Sequence, residues 1–207
     1  MIETIVIVLV VILFSMTLHE AMHGYVAYWL GDDTARLQGR LTLNPIKHID
    51  PFLTILLPLL LVVAGLPPFG GAKPVPFNPH NVRWGEWGAA LIAVAGPLTN
   101  FFIAFVGFGV WTLAGLPGGL AGQIFSIIVS VNLGFAVFNL LPIPPLDGSR
   151  VIYALAPEFV RRGMEMIERF GIFVVFIIVL VGSSLIGAFM TTVIGAIIEL
   201  FSWIFRV

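Results

Sequence analysis

The sequence has no cysteine among its 207 residues, and few of its residues are charged. Without cysteine there are no disulfides and no thiolate ligands, so a bound metal must use histidine, carboxylates and water. Charged residues make up 10% of the chain, whereas globular proteins carry about 25%. The formal net charge of −1 gives no basic excess, which argues against a nucleic-acid partner.

Apolar residues dominate the composition instead. They make up 59% of the chain, and the mean hydropathy is +1.07. This composition predicts an integral membrane protein. The apolar run that begins at Met1 lacks the basic start and the small-residue cleavage site of a signal peptide, so we interpret it as a retained transmembrane helix.

A short motif, His19-Glu20-Ala21-Met22-His23, closes this apolar run. On a helix, His19 and His23 lie one turn apart on a single face, where two imidazoles can bind one zinc ion. Glu20 then stands beside the metal as a candidate base for a water activated by zinc. Because ionisable groups are costly within a membrane segment and are usually functional there, the metal interpretation is favoured over a chance match.

Five spanning helices are predicted from the long apolar segments. They comprise residues 2–29, 86–113, 120–141, 167–181 and 185–205, with residues 182–184 as the turn between the last two. Residues 51–66 are apolar, but they are short and contain Pro58, which indicates a re-entrant loop. Residues 34–50 alternate polar and apolar as in a short hairpin, and the proline- and glycine-rich residues 67–79 are expected to be extended.

The predicted fold class is therefore an α-helical polytopic membrane protein with five spanning helices, a re-entrant loop and short membrane-associated β segments. We expect a single domain over residues 1–207, with a core in residues 1–150 and a C-terminal helical hairpin in residues 165–207. With residues 51–66 re-entrant, all ten basic residues lie on one face of the membrane. The positive-inside rule then predicts an outside N-terminus, a cytoplasmic C-terminus and a histidine pair near the cytoplasmic side.

A catalytic zinc needs a third protein ligand and one open position. The candidates in this chain are Asp147, Asp50, His48, His80 and Glu86. Asp147 follows a proline-broken stretch just beyond an apolar helix, where irregular backbone is tolerated only if protein or a water cavity covers it. An Asp-Gly pair is also ordinary turn chemistry, but the predicted depth of Asp147 matches that of the histidines and favours the ligand.

Together these motifs resemble the site-2 protease family of intramembrane metalloproteases, the M50 peptidases, in a compact bacterial form without a PDZ-like or CBS-like domain. The resemblance rests on the histidine motif, on residues 142–148, on residues 95–100 between them, and on residues 70–76. The family's second motif usually reads Asn-Pro-Asp-Gly, and here it reads Pro-Leu-Asp-Gly.

The resemblance implies a role for each of these residues. His19, His23 and Asp147 would bind zinc, Glu20 would be the general base, and Asn139 would stand near the metal as a possible donor to the oxyanion. A further set would hold an unwound substrate by strand addition, unless it only plugs the re-entrant loop: Gly70, Gly71, Ala72, Lys73, Pro74 and Val75.

The resemblance implies intramembrane zinc proteolysis in the lipid bilayer as the activity. The expected substrate is a single-pass transmembrane protein or a signal-peptide remnant. The expected location is the bacterial inner membrane, with the active site toward the cytoplasm. The alternatives are a membrane zinc-binding protein that does not cut peptides, either an inactive relative or a metal carrier, and a purely structural scaffold.

Overall fold

The computed structural model describes residues 2–63 and 71–207. The helices are α1 (Ile2–Trp29), α2 (Thr34–Leu37), α3 (Leu57–Val63), α4 (Glu86–Leu113), α5 (Gly119–Asn139), α6 (Gly148–Leu155), α7 (Glu158–Glu168) and α8 (Ile172–Phe205). Short 3₁₀ turns occupy Pro45–His48 and Pro79–Asn81, and a π-helical turn occupies Pro51–Leu56.

Within the described residues, four helical stretches are long and apolar enough to cross a membrane: Ile2–Trp29, Glu86–Leu113, Gly119–Asn139 and Ser184–Phe205. At a rise of about 1.5 Å per residue, each of them is able to cross a hydrocarbon core of about 30 Å. The first stretch ends where Gly31 takes a φ of 105°, a left-handed conformation that glycine adopts easily at the end of a helix.

Helix α4 lies at the centre of the packing and contacts α1, α5, α6 and α8. Where α8 meets α4 and α5, the buried core consists of Ala104, Phe108, Val129, Leu133 and Phe201. The ring of Phe201 packs edge-on against Phe101 and Phe105, with centroid distances of 5.5 and 5.2 Å. Edge-to-face aromatic pairs of this kind are favourable, so this cluster fixes α8 against the other helices.

The prediction of five spans was wrong, because the two predicted C-terminal spans belong to one continuous helix. The predicted turn at residues 182–184 lies inside the 34-residue α8, so the predicted C-terminal hairpin is replaced by α7 and α8. Glycine costs a helix only about 1 kcal/mol relative to alanine, and serine costs less. A Gly-Ser-Ser sequence without proline is therefore too weak a signal to end a helix between two apolar segments.

Because α8 is one continuous helix, its C-terminal end lies at the opposite end of the helical bundle from the predicted position. Phe205 packs on Phe108, near the C-terminal end of α4, and an added Cβ on Gly109 would meet the Phe205 ring at 2.6 Å. Arg206 therefore lies at that end of the helices and not with the other basic residues, as the five-span arrangement required.

The predicted β segments were also wrong, since no strand occurs in residues 2–63 or 71–207. The predicted hairpin in residues 34–50 contains α2 and a 3₁₀ turn, and the Asn44 side chain caps that turn by accepting from the Ile46 N–H. Residues 71–78 are extended but have no strand partner, since Pro74 and Pro76 lack the N–H groups that a ladder needs. Residues 51–63 form the π-helical turn and α3, and the re-entrant loop remains a prediction.

Candidate metal centre

The two histidines of the motif lie on one face of α1. His19 and His23 are 8% and 9% exposed, and their Nε2 atoms are 3.1 Å apart. Helix geometry accounts for this closeness, because side chains four residues apart stack one above the other. The face that carries them points toward α4 and α5, which pack against α1.

Asp147 reaches the histidine pair from the loop between α5 and α6. Its Oδ2 atom lies 3.2 Å from His19 Nε2 and 3.5 Å from His23 Nε2. Asp147 directly precedes α6, and an added Cβ on the next residue, Gly148, would lie 2.2 Å from the Leu140 carbonyl oxygen. The loop therefore folds tightly back on the end of α5, which carries Asp147 to the histidines.

The geometry of this cluster fits a tetrahedral metal ion. With bonds of about 2.0–2.1 Å, the ligand atoms of a tetrahedral zinc lie about 3.3 Å apart, close to the three distances above. Among the described residues, Asp147 Oδ2 is buried and accepts no hydrogen bond of normal geometry, as expected for an oxygen that binds a cation.

The ring of His19 is oriented by a chain of amides that crosses three helices. Asn132 Nδ2 donates to the Ile128 carbonyl at 2.9 Å, so Asn132 Oδ1 faces Asn100 and accepts from its Nδ2 at 2.9 Å. Asn100 Oδ1 is then left to accept from His19 Nδ1 at 2.6 Å. Because a backbone carbonyl only accepts, the whole chain has one direction, and it leaves the Nε2 lone pair of His19 for a metal.

His23 is oriented in the same way by the backbone. Its Nδ1 atom lies 2.7 Å from the Ile92 carbonyl oxygen of α4, which can only accept. Both imidazoles therefore carry their proton on Nδ1 and turn Nε2 toward Asp147. Histidine ligands typically donate their second N–H to a carbonyl or a side chain in this manner.

Gly96 lets α4 pass directly over the two histidines. An added Cβ at this position would lie 2.5 Å from His23 Nε2 and 2.7 Å from His19 Nε2. Such distances are shorter than any normal contact, so a side chain larger than that of glycine would displace a ligand. The close approach of α4 also keeps the cluster buried.

Glu20 lies next to the cluster and contacts the extended segment. Its Oε2 atom accepts from the Val75 N–H at 2.9 Å. Val75 of the predicted substrate-binding set thus contacts Glu20, whereas Gly70 lies outside the described residues. Binding of substrate by this set stays a prediction.

Among the described His, Asp and Glu residues, only His19, His23 and Asp147 form the cluster, and the other candidates have contacts of their own. Asn139 Nδ2 donates to the Phe135 carbonyl one turn back on α5 at 3.0 Å, and its role toward an oxyanion stays a prediction. His48 Nε2 contacts the Thr42 carbonyl oxygen at 2.9 Å, and Asp50 caps the π-helical turn through the N–H groups of the two residues after Pro51. His80 lies in an exposed 3₁₀ turn, and Glu86 begins α4.

Sequence reasoning missed the roles of Asn100 and Asn132. A usable signal was present, because Asn100 lies four residues after Gly96 and therefore on the same face of α4. Asn100 therefore reaches His19, one of the two side chains that lie against Gly96.

Comparison with known proteins agrees with this geometry. The family model described as "Peptidase family M50" matches residues 118–182, which include Asp147. The Bacillus subtilis protein named "Putative zinc metalloprotease YwhC" is 44% identical over 209 residues, which cover 95% of this chain and 91% of that protein. The chain belongs to peptidase family M50.

Two further relatives of this M50 peptidase carry similar names. "Putative zinc metalloprotease Rip2" of Mycolicibacterium smegmatis is 31% identical over 176 residues, covering 81% of this chain and 64% of the relative. "Putative zinc metalloprotease MJ0611" of Methanocaldococcus jannaschii is 49% identical over 61 residues, which are 30% of this chain and 31% of the relative. No solved structure matches the chain. With its apolar helices, this M50 peptidase is an integral membrane protein.

Replacing Asn100 with alanine is expected to weaken metal binding by about 10- to 100-fold, because His19 loses the acceptor that fixes its tautomer. The measurement is a zinc titration of the purified protein against a competing chelator dye. Gln123→Ala is the matched control, because it removes another amide that links two helices, through a 2.8 Å bond to Thr4, and lies far along α5 from Asn132. Equal zinc affinities for the two variants would contradict the proposed orientation of His19.

Proposed function

We propose that this M50 peptidase is an intramembrane zinc metalloprotease that hydrolyses peptide bonds in or near the transmembrane segments of single-pass membrane proteins. The convergence of His19, His23 and Asp147 beside Glu20 carries the proposal. His19 lies ten residues, or about 15 Å, before the end of α1, which supports an active site below the membrane surface.

Zinc held by the three ligands would activate a water molecule and polarise the scissile carbonyl group. Glu20 would accept the proton of the attacking water and pass it to the leaving amine. Asn100 and the Ile92 carbonyl would keep both imidazoles fixed while charge changes at the site. Asn139 is the proposed donor to the oxyanion, because its amide has a second N–H besides the one that bonds to the Phe135 carbonyl.

The substrate must unwind before it is cut, because the hydrogen bonds of a transmembrane helix hide its carbonyl groups. Residues 70–75 are the proposed docking segment for the unwound chain, and the hydrogen bond from the Val75 N–H to Glu20 supports this role. The proposed substrates are single-pass membrane proteins and signal-peptide remnants.

The distribution of basic residues supports a cytoplasmic active site in a bacterial inner membrane. Nine of the ten lie in the connections at the metal end of α1, α4 and α5 or between α5 and α8, and Arg206 lies at the opposite end. The positive-inside rule places the end with more arginine and lysine in the cytoplasm.

Removal of the metal tests the proposal. In detergent or nanodiscs, the wild-type protein is expected to bind about one zinc ion and to cleave a single-pass substrate. A chelator is expected to stop cleavage, and added zinc to restore it, as followed by the appearance of product fragments on gels. Bound zinc without cleavage of any membrane substrate would instead support a zinc-binding protein that does not cut peptides.

A further inference from the structure

Arg40 is a buried cation that is used to hold main-chain carbonyl groups. Its side chain lies in the connection after α2, and the residue is only 7% exposed. Its Nη2 atom donates to the Lys73 carbonyl at 2.7 Å and contacts the Pro74 carbonyl at 3.4 Å. Across the described ranges, Arg40 forms no ion pair, whereas Arg36, Arg150 and Arg162 all do. Burial of an unpaired charge is costly, so the position of these two carbonyl groups matters to the protein.

The carbonyl groups that Arg40 holds belong to a segment with one bonded edge. The N–H groups of alternate residues in this segment all have an acceptor. Gly71 donates to the Leu53 carbonyl at 3.1 Å, Lys73 donates to the His48 carbonyl at 2.9 Å, and Val75 donates to Glu20 at 2.9 Å. Glu20 is thus the last of three acceptors along the segment. The first two are main-chain carbonyl groups, and they hold Gly71 and Lys73 in place.

Proline on both sides makes Val75 depend on these anchors. Pro74 and Pro76 have no N–H, so Val75 supplies the only amide proton between residues 73 and 77. Each proline ring also fixes its own φ angle, which makes the segment stiff. A stiff segment passes a displacement of the Lys73 and Pro74 carbonyl groups directly to the Val75 N–H.

We propose that Arg40 is a positioning residue for Glu20, the general base of the hydrolysis proposed above, on which this inference rests. Arg40 fixes the carbonyl groups of Lys73 and Pro74, and the Val75 N–H then holds Glu20 Oε2. Because Val75 binds only one oxygen of the carboxylate, the other oxygen remains able to accept a proton from water. The backbone of residues 73–75 therefore orients the carboxylate of Glu20.

The test compares Arg40→Met, Arg40→Lys and the wild type, each as the full-length zinc-loaded protein. We expect Arg40→Met to lower kcat about ten-fold or more with little change in KM, because a misplaced catalytic group slows the reaction of bound substrate. Arg40→Lys keeps one charged donor and should recover part of the loss. The bound zinc per protein should stay the same in all three.

Hydrogen exchange gives a second measurement that does not depend on cleavage. A peptide covering residues 73–77 has only two backbone amides, those of Val75 and Phe77, because Lys73 becomes its terminal amine and residues 74 and 76 are prolines. In Arg40→Met, the Val75 amide is expected to exchange about ten-fold faster, because it loses a stable acceptor. The control is Arg36→Met, which removes an exposed arginine of α2 that pairs with Asp33 at 3.6 Å, and it should leave exchange and kcat unchanged.

Several results would overturn the inference. An unchanged kcat in a folded Arg40→Met protein would do so, and so would an increase in KM alone, which would assign the segment to substrate binding only. Loss of zinc, or unfolding of both Arg40 variants, would assign Arg40 to stability. These outcomes differ from failure of the proposed function, in which the wild-type protein itself would bind zinc without cleaving substrate.

Discussion

Substitution of Glu20 by glutamine is expected to slow cleavage by about 100- to 10,000-fold, the range of a general base, while zinc remains bound. Glutamine has the same shape, and its carbonyl oxygen can still accept the Val75 N–H, but its amide cannot take a proton from water. Glu20 is not one of the three grouped ligands, so the metal site should stay intact. The cleavage rate is measured by turnover of a purified single-pass substrate, and the bound zinc is measured by metal analysis of the same sample.

A second glutamate-to-glutamine change provides the control for this experiment. Glu199 is exposed on α8, far along the chain from the cluster, and Glu199→Gln should cleave at the wild-type rate. Cleavage by Glu20→Gln at a comparable rate would reject Glu20 as the base. A loss of zinc in Glu20→Gln would show that the carboxylate supports the metal site instead.

Substitution of Gly96 by alanine is expected to lower both zinc affinity and cleavage by about 100-fold or more, the cost of moving a catalytic group by about 1 Å. The added methyl group would lie 2.5 and 2.7 Å from the two Nε2 atoms. The imidazoles cannot turn away freely, because Asn100 and the Ile92 carbonyl hold their Nδ1 atoms. Either these hydrogen bonds break or α4 moves outward, and both changes separate the ligands.

Competitive zinc titration and the cleavage assay measure the effect of Gly96→Ala, and Gly134→Ala is the control. Gly134 lies in α5, and an added Cβ there meets no atom within 4 Å. Alanine usually stabilises a helix relative to glycine, so the control should keep its stability, zinc and activity. If Gly96→Ala binds zinc as tightly as Gly134→Ala does, the close approach of α4 is not needed for the metal site.

The convergence of the motif residues was easier to predict from the sequence than the path of the chain. The spacing of His19 and His23 follows from one helical turn, so the pair could be placed without any tertiary information. Asp147 was harder, because 124 positions separate it from His23, and it was chosen for its depth at the end of an apolar helix. The structure brings its Oδ2 atom to both imidazoles.

The errors have physical causes in particular segments. The helix continues through Gly182, because a glycine among apolar residues costs a helix too little to stop it. Residues 71–78 are extended, as expected, but they bond to Arg40, to Glu20 and to loop carbonyls in place of a neighbouring strand. Hydrophobic pattern alone does not distinguish these partners, since both arrangements use the same extended backbone.

Because the number of spanning helices is even, the start of α1 and the end of α8 lie on the same side of the helical bundle. Thr4 of α1 bonds to Gln123 at the start of α5, and Phe205 packs near the end of α4, which leads into α5. Affinity tags or fluorescent fusions attached before α1 or after α8 would therefore lie on the opposite side of the bilayer from the end of the bundle that contains the metal cluster. Such handles would allow immobilisation of the enzyme without blocking the approach of its substrate.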